Sequence, residues 1–201
     1  RLQLVYQDAL NVELGIANLN NINALAGVPI KVLDLSGVKI KTISALSGMP
    51  LEILDLSGTQ VEDISPLKGM KLTSLNLSGT AVSDISALKE MPLAYLNLKG
   101  ISVSDISTLK AMPLNHLNLD GTPVTDITAL KEMNFERLYL PANVENISEL
   151  KETKFNFLYL HKDTKNIESL RSVDILFIND MRPDRFWKIY DETGKIPPAV
   201  Y

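Results

Sequence analysis

The chain has 201 residues, 45% of them hydrophobic, and a formal net charge of −4. It has no cysteine, which excludes a disulfide framework and a thiolate metal site, and it has no apolar run long enough to span a membrane. The acidic balance, without clusters of lysine and arginine, argues against nucleic acid or an anionic membrane as the main partner. We therefore expect one domain with one elongated core and no membrane insertion by this segment.

The first eight residues do not fit the pattern that organises the rest of the chain. Two interpretations are open for residues 1–8, a small N-terminal cap and a truncated repeat. The chain begins at Arg1 rather than methionine, which is consistent with a processed protein or an excised piece of a larger one. From Ala9 a periodic pattern begins, with Val12 and Leu14 as the inner residues of the first predicted strand. We expect a solenoid of about eight coils over residues 9–180.

The periodic pattern is defined by six leucines at a fixed spacing of 21 residues, which is typical of a solenoid. These leucines are Leu33, Leu54, Leu75, Leu96, Leu117 and Leu138. In the coil at residues 51–71, Leu54 and Leu56 alternate with polar residues and predict a short strand. Later in the same coil, Ser65 as a hydroxyl N-cap and Pro66 at the first helical position predict one short helical turn.

The pattern Leu-x-x-Leu-x-Leu-x-Gly-Thr-x-Val-x-Asp-Ile-Ser-x-Leu resembles the leucine-rich-repeat family in its short bacterial variety. The resemblance implies an α/β repeat solenoid, a right-handed superhelix with a parallel concave sheet and short helical or 3-10 turns on the convex side. Where the family pattern has an asparagine that ties adjacent coils, this chain has Thr59, Thr80 and Thr122, with Val38 and Ile101 in two coils. We expect the threonine hydroxyls to link adjacent coils, although a hydroxyl has fewer hydrogen-bond donors than the asparagine amide. We expect the coils with Val38 and Ile101 to compensate by packing or by an altered turn.

The C-terminal part departs from the repeat. A final strand is predicted within Ile175–Ile178, although four consecutive apolar residues do not fix its register. Proline at position 183 and glycine at position 194 are helix start and stop signals, and they predict a helix over Pro183–Thr193. We interpret residues 181–201 as a capping helix and tail that cover the open end of the core. The alternative is a docking helix for a partner.

Two columns of polar side chains are candidates for a functional role. Asp63, Asp84, Asp105 and Asp126 recur once per coil, and we interpret them as acceptors for backbone N–H groups at the turn starts rather than as a calcium site. Asn76, Asn97 and Asn118 occupy one outward strand position and predict an amide ladder. Asp34 and Asp55 precede them in that column, and we expect solvent to screen their charges.

The two histidines, His116 and His161, are predicted on the same sheet face two coils apart. With Asp120 and Asp163 they are candidates for an acid–base pair or a metal site. No nucleophile elbow, phosphate loop or His-x-x-x-His spacing accompanies them. We therefore expect no enzymatic activity, no cofactor and no metal.

The outward strand positions change character along the solenoid, from small and acidic residues to aromatic and basic ones. The predicted binding residues are Tyr95, His116, Arg137, Tyr139, Phe157, Tyr159 and His161. Tyrosine and arginine bury large rigid areas while keeping a polar end, and they are enriched at binding hot spots. The alternative is that the C-terminal helix or a loop covers these side chains.

The prediction is a monomeric, non-enzymatic interaction module that binds a protein or peptide on the concave sheet. An architectural scaffold segment of a larger protein is a second possibility, and carbohydrate binding by the aromatic C-terminal part of the sheet is a third. An extracytoplasmic protein and a part of a larger signalling protein are both consistent with the sequence.

Overall fold

The computed structural model of the protein describes residues 22–199 together with the backbone of two short strands near the N-terminus. These two strands are β1 (Leu2–Val5) and β2 (Val12–Leu14). Strand β2 includes the predicted inner positions of the first coil, but β1 lies between β2 and the next strand and pairs antiparallel with both. The other residues of that predicted coil before position 22 lie outside the described part, and the domain boundaries at residues 8 and 180 stay predictions.

The remaining strands form one parallel sheet with a regular register, as the leucine spacing predicts. They are β3 (Val32–Asp34), β4 (Ile53–Asp55), β5 (Ser74–Asn76), β6 (Tyr95–Asn97), β7 (His116–Asn118), β8 (Asn134–Tyr139), β9 (Lys154–Tyr159) and β10 (Ile175–Ile178). Each strand pairs with its neighbours in chain order. Leu54, for example, lies opposite Leu33 on one side and Leu75 on the other. The equivalent leucines therefore form one continuous row inside the solenoid.

Each coil returns through a short 3-10 turn on the side away from the sheet. The turns are Asn23–Leu25, Ser44–Leu46, Ser65–Leu67, Ser86–Leu88, Ser107–Leu109, Thr128–Leu130, Ile147–Glu152 and Ile167–Leu170. In one coil, Ile64 is almost completely buried, and four other apolar side chains are completely buried: Leu54, Leu56, Val61 and Leu67. The apolar positions of the repeat thus converge on one core between the sheet and the turns.

In four coils the start of the 3-10 turn is held by an aspartate rather than by a serine hydroxyl of the predicted kind. The turn begins at Ser65 itself, and the Asp63 carboxylate accepts the backbone N–H of Ser65 at 2.7 Å and its hydroxyl at 2.9 Å. Equivalent bonds occur at Asp84, Asp105 and Asp126. The prediction of Ser65 as N-cap was wrong, whereas the interpretation of the aspartates as N–H acceptors is confirmed.

Hydrogen bonds from the residue two positions later lower the pKa of these aspartates below the usual value of 3.8. At Asp63, Asp84 and Asp105 the backbone N–H of the serine contributes most and its hydroxyl second. At Asp126 the Thr128 hydroxyl contributes most and its backbone N–H second. Because the folded-state pKa is lowered, the resulting stabilisation is complete above the unfolded-state pKa. It is lost as the pH falls through the folded-state pKa.

The threonines at the family's asparagine position close their own coil instead of linking neighbours. The hydroxyls of Thr59, Thr80 and Thr122 each donate to the carbonyl of the leucine three residues earlier, at 2.7 Å. The expected bonds between coils were therefore wrong. At Val38 and Ile101 the backbone N–H closes the same turn, at 3.1 and 3.3 Å, and Ile101 is buried. These coils compensate by packing, without an altered turn.

A matched pair of substitutions tests the role of these hydroxyls. Thr80 is buried and its hydroxyl is bonded, whereas Thr164 is buried and its hydroxyl has no hydrogen-bond partner within the described residues. We expect Thr80→Val to lower the free energy of unfolding by about 1 kcal/mol, because the bond is lost. Thr164→Val keeps the shape and removes an unsatisfied hydroxyl, and it should raise that free energy by about 1 kcal/mol. Urea denaturation measures the free energy of unfolding of both variants. Changes of the same sign would contradict the assignment of the Thr80 hydroxyl as hydrogen-bonded and the Thr164 hydroxyl as unbonded.

In the coils up to Glu132, a second turn requires left-handed backbone, and the chain does not always place glycine there. Gly48 and Gly69 have φ of +72° and +77°, and the equivalent Glu90, Ala111 and Glu132 have φ of +61° to +64°. A side chain at positive φ costs about 1 kcal/mol or more. The later coils are therefore strained at this turn.

Relieving that strain should stabilise the protein. Ala111→Gly is expected to raise the free energy of unfolding by about 0.5–1 kcal/mol, since glycine adopts positive φ freely but loses more chain entropy on folding. Gly69→Ala is the reciprocal control, because a Cβ built there meets no atom within 4 Å and the loss would reflect φ alone. A destabilised Ala111→Gly in the same chemical denaturation assay would contradict the assignment.

The C-terminal helix α1 spans Pro183–Thr193, as the start and stop signals predict. Gly194 ends it with φ of +66°, and its N–H donates to the Tyr190 carbonyl at 2.7 Å. Phe186 is completely buried, and Trp187 packs against the core with the Arg171 guanidinium 4.3 Å from its ring centroid. The helix thus packs its apolar side on the end of the solenoid, and its assignment as a cap stays a prediction.

Asn179, which the sequence did not single out, supplies hydrogen bonds that the next strand would otherwise provide. In the preceding coil the N–H of Leu140 donates to the Tyr159 carbonyl on β9, at 3.0 Å. One coil later the N–H of Leu160 donates to Asn179 Oδ1 at 2.7 Å. Asn179 Nδ2 donates to the carbonyls of Leu160 and Pro197, at 3.2 and 2.8 Å. This buried amide therefore ties β9 to the C-terminal tail.

Candidate functional site

The strand pairing aligns six of the seven predicted binding residues in two columns on the concave face, and the seventh, His161, follows β9 and lies in neither column. In the first column Tyr95 lies opposite His116, His116 opposite Arg137, and Arg137 opposite Phe157. Phe177 on β10 continues this column, because it pairs with Phe157. Phe177 was not among the predicted binding residues, because the sequence does not fix the register of its strand. Its spacing of 20 residues from Phe157 was the signal that could have identified it.

The first column is held together by contacts between rings and guanidinium groups. The rings of Tyr95 and His116 have centroids 6.1 Å apart. The Arg137 Cζ atom lies 5.1 Å from the Phe157 ring centroid, and the Phe157 and Phe177 rings stack at 5.1 Å. The Arg182 Cζ atom lies 6.0 Å from the Phe177 centroid. Cations at these distances are attracted to the negative ring faces.

The second column contains a pair of stacked tyrosines. The rings of Tyr139 and Tyr159 are nearly parallel, with centroids 4.0 Å apart. The Tyr159 hydroxyl donates to Asp180 Oδ1 at 2.7 Å. Burial, followed by this bond to a carboxylate, raises the pKa of Tyr159 well above its usual value of 10. Tyr159 is therefore a neutral phenol at physiological pH, with a fixed orientation.

The early part of the second column is built from local hydrogen bonds. Asp34, Asp55 and Asn97 each accept the backbone N–H two residues further on, at 2.7 to 3.0 Å. Among the described aspartates and asparagines of this column, one side-chain hydrogen bond joins neighbouring coils, from Asn76 Nδ2 to Asp55 Oδ2 at 3.0 Å. The predicted continuous amide ladder was therefore wrong, because the amide oxygens are already used by the turn that follows each strand.

A groove of about 310 Å³ lies beside the stacked tyrosines. Tyr139, Tyr159 and His161 line it on the sheet side, with Asp120, and residues 197–199 of the tail line the other side. A larger depression of about 840 Å³ is lined by residues 89–92 and 107–113, which include none of the predicted binding residues. The groove is thus the concavity that coincides with the predicted site.

The two histidines have separate partners and do not meet. His116 Nδ1 lies 2.8 Å from Asn115 Oδ1, and its Nε2 lies 3.8 Å from Glu136 Oε1. His161 Nδ1 lies 3.2 Å from the Asp163 backbone nitrogen and 3.4 Å from Asp163 Oδ2. Asp120 pairs with Lys99 at 3.0 Å.

No group of three or more histidine, aspartate or glutamate side chains in the described part of the chain is placed to hold a metal ion. In the same part, no helix has the length and apolar character needed to cross a bilayer.

Helix α1 leaves much of the site accessible. Tyr95 is 39% exposed and Arg137 is also exposed. Phe157 and Tyr159 are half-buried, Phe157 between Arg137 and Phe177 and Tyr159 against Tyr139 and Asp180. The predicted binding residues therefore form a surface that is partly supported, not hidden, by the C-terminal segment.

Comparisons with known proteins show the fold. The structure is similar to internalin C2 from Listeria monocytogenes, with a TM-score of 0.69 and 19% identity over 81% of this chain and 76% of that chain. It is also similar to the functional domain of InlJ from the same organism, with a TM-score of 0.52 and 18% identity over 75% of this chain and 34% of that chain. No family model matches the sequence, and no curated protein matches it. The 21-residue strand and 3-10 repeats, together with these neighbours, show that the chain has the leucine-rich-repeat fold.

Proposed function

We propose that the chain is a monomeric, non-enzymatic interaction module, and that its later coils bind a protein or peptide on the concave face. The observation that carries this proposal is the run of aromatic and arginine side chains in register across β6 to β10. The site comprises the seven predicted residues and Phe177. Its groove and exposed rings supply the contact area.

The site is preorganised, which favours binding. Tyr139 and Tyr159 fix each other by stacking, and Asp180 fixes the Tyr159 hydroxyl. Side chains that are already ordered lose little conformational entropy when a partner binds, so more of the contact energy appears as affinity. Exposed tyrosine and arginine side chains on a rigid sheet are typical of binding hot spots.

Alanine substitutions with a matched control test this proposal. A displayed library of random peptides is selected on the wild-type chain, and the affinity of a selected peptide is measured by fluorescence anisotropy. Arg137→Ala and Tyr139→Ala should each weaken binding by about 1–3 kcal/mol, with unchanged thermal melts. Ile53→Ala is the control, because Ile53 is 43% exposed in the first column but lies in an early coil.

Two outcomes would contradict the proposal. Loss of binding in variants of Ile53 and Asp55, with Arg137→Ala and Tyr139→Ala unaffected, would place the site in the early coils. Selection that yields no peptide, together with binding on a glycan array that depends on Tyr139, would favour the carbohydrate alternative.

A further inference from the structure

We propose that the partner segment is acidic and extended, with two carboxylate side chains four residues apart that bind Arg137 and Arg182. This inference rests on the proposed function and specifies the chemistry of its ligand. It is carried by four side chains at the C-terminal end of the first column, Arg137, Phe157, Phe177 and Arg182, here called the arginine–phenylalanine stack.

Within the described residues, the two arginines of the stack have no anionic partner. Neither guanidinium forms an ion pair with a carboxylate of the described residues, whereas Arg171 pairs with both Glu168 and Asp191. Two carboxylates close in sequence to these arginines have other partners, since Asp180 accepts the Tyr159 hydroxyl and Glu136 lies 3.8 Å from His116 Nε2. Arg137 and Arg182 are both exposed, so a ligand can reach their N–H donors.

The rings between the arginines add to the preference for negative charge. The faces of Phe157 and Phe177 are turned toward each other, with an interplanar angle of 8°. Arg137 and Arg182 lie near the two ends of this pair. The ring edges, which carry partial positive charge, are left for a ligand. Guanidinium groups held over rings also keep their planar donor fork oriented for a carboxylate.

The spacing of the stack determines the spacing of the acidic residues. Arg137, Phe157 and Phe177 lie on three successive strands and Arg182 lies beyond the last. Arg137 and Phe177 are two strand spacings of about 4.8 Å apart, and the Arg182 Cζ atom lies 6.0 Å from the Phe177 ring centroid. The arginines are therefore separated by roughly 15 Å along the stack. An extended peptide advances about 3.3 Å per residue, and side chains two or four residues apart share a face. Acidic residues at positions i and i+4 of a segment that crosses the strands therefore match the two guanidiniums.

Charge-removing variants test each end of the ligand separately. The probe is the displayed random-peptide library, followed by a fluorescein-labelled peptide Ser-Glu-Ser-Leu-Ser-Glu-Ser and its counterpart with both glutamates replaced by glutamine. We expect selected peptides to be enriched in acidic residues four apart. Arg137→Gln and Arg182→Gln should each remove the enrichment at one of the two positions and weaken binding of the glutamate peptide about fivefold. Arg185→Gln, an exposed arginine of α1, is the charge-matched control and should leave binding unchanged.

The outcomes separate this inference from the proposed function. Selected peptides that depend on Tyr139 but show no acidic preference would overturn the inference and leave the proposed function in place. The same conclusion would follow if the selected peptides bound the Arg137→Gln and Arg182→Gln variants of the protein as tightly as wild type. Equal binding of the glutamate and glutamine peptides would also overturn it. A concentration-dependent dimer that Arg137→Gln abolishes would assign the stack to a second copy of the chain and overturn the acidic-peptide ligand.

Discussion

Leu75→Asp is expected to unfold the whole chain. Leu75 is completely buried, and it lies between Leu54 and Leu96 in the central row of the core. An aspartate there would place an uncompensated carboxylate in a site without polar partners, at a cost of about 5 kcal/mol or more. Because each coil is stable only against its neighbours, loss of a central coil exposes core on both sides. This cost is comparable to the total stability of a typical domain.

Circular dichroism melts of Leu75→Asp and Ser74→Asp measure this effect. Ser74 precedes Leu75 on β5 but is half-exposed on the outward face, so Ser74→Asp introduces the same charge without burying it. The control should melt cooperatively, close to wild type. A cooperative native-like melt of Leu75→Asp would show that Leu75 is not in the core.

Asn179→Ala is the second substitution with a large expected effect. It removes the acceptor for the Leu160 N–H and the donors to the Leu160 and Pro197 carbonyls. Each buried backbone group left without a partner costs about 1–3 kcal/mol. Alanine at the φ of +48° found at Asn179 costs about 1 kcal/mol more. We expect the free energy of unfolding to fall by about 3–5 kcal/mol, and β9 to lose protection from amide exchange.

Asn166→Ala separates the two terms of that cost. Asn166 also has positive φ, of +58°, but it is exposed and its side chain makes no capping bond. This control should lose about 1 kcal/mol, the φ cost alone. If chemical denaturation gives the two variants equal losses, the Asn179 amide does not act as a substitute for the next strand.

The regular part of the fold could be predicted because one spacing determines most of it. Leucines 21 residues apart on strands with a period of two have one arrangement that buries them all, and the register of β3 to β8 follows. The hydroxyl partners of Thr59 and Thr80 could not be predicted in this way. The sequence does not show whether the hydroxyl donates to a carbonyl of its own coil or of the next coil, because the backbone geometry of the turn determines the acceptor.

The residues of the candidate site that lie in the regular coils could be predicted from the sequence, whereas those in and after the last strand could not. The outward positions from Tyr95 to Tyr159 follow from the period, and their alignment in two columns follows from the parallel register. Phe177 was missed because Ile175–Ile178 is apolar throughout. Arg182 and Asn179 lie after the last strand, where no repeat indicates their positions, and their contacts depend on how the chain turns into α1.

Hydrogen–deuterium exchange with and without a selected peptide tests the central claim most directly, because it locates the bound surface along the whole solenoid. We expect new protection of the backbone in β8 and β9, at Asn134–Tyr139 and Lys154–Tyr159, with β3 and β4 unchanged. Protection confined to β3 and β4, at Val32–Asp34 and Ile53–Asp55, would contradict it.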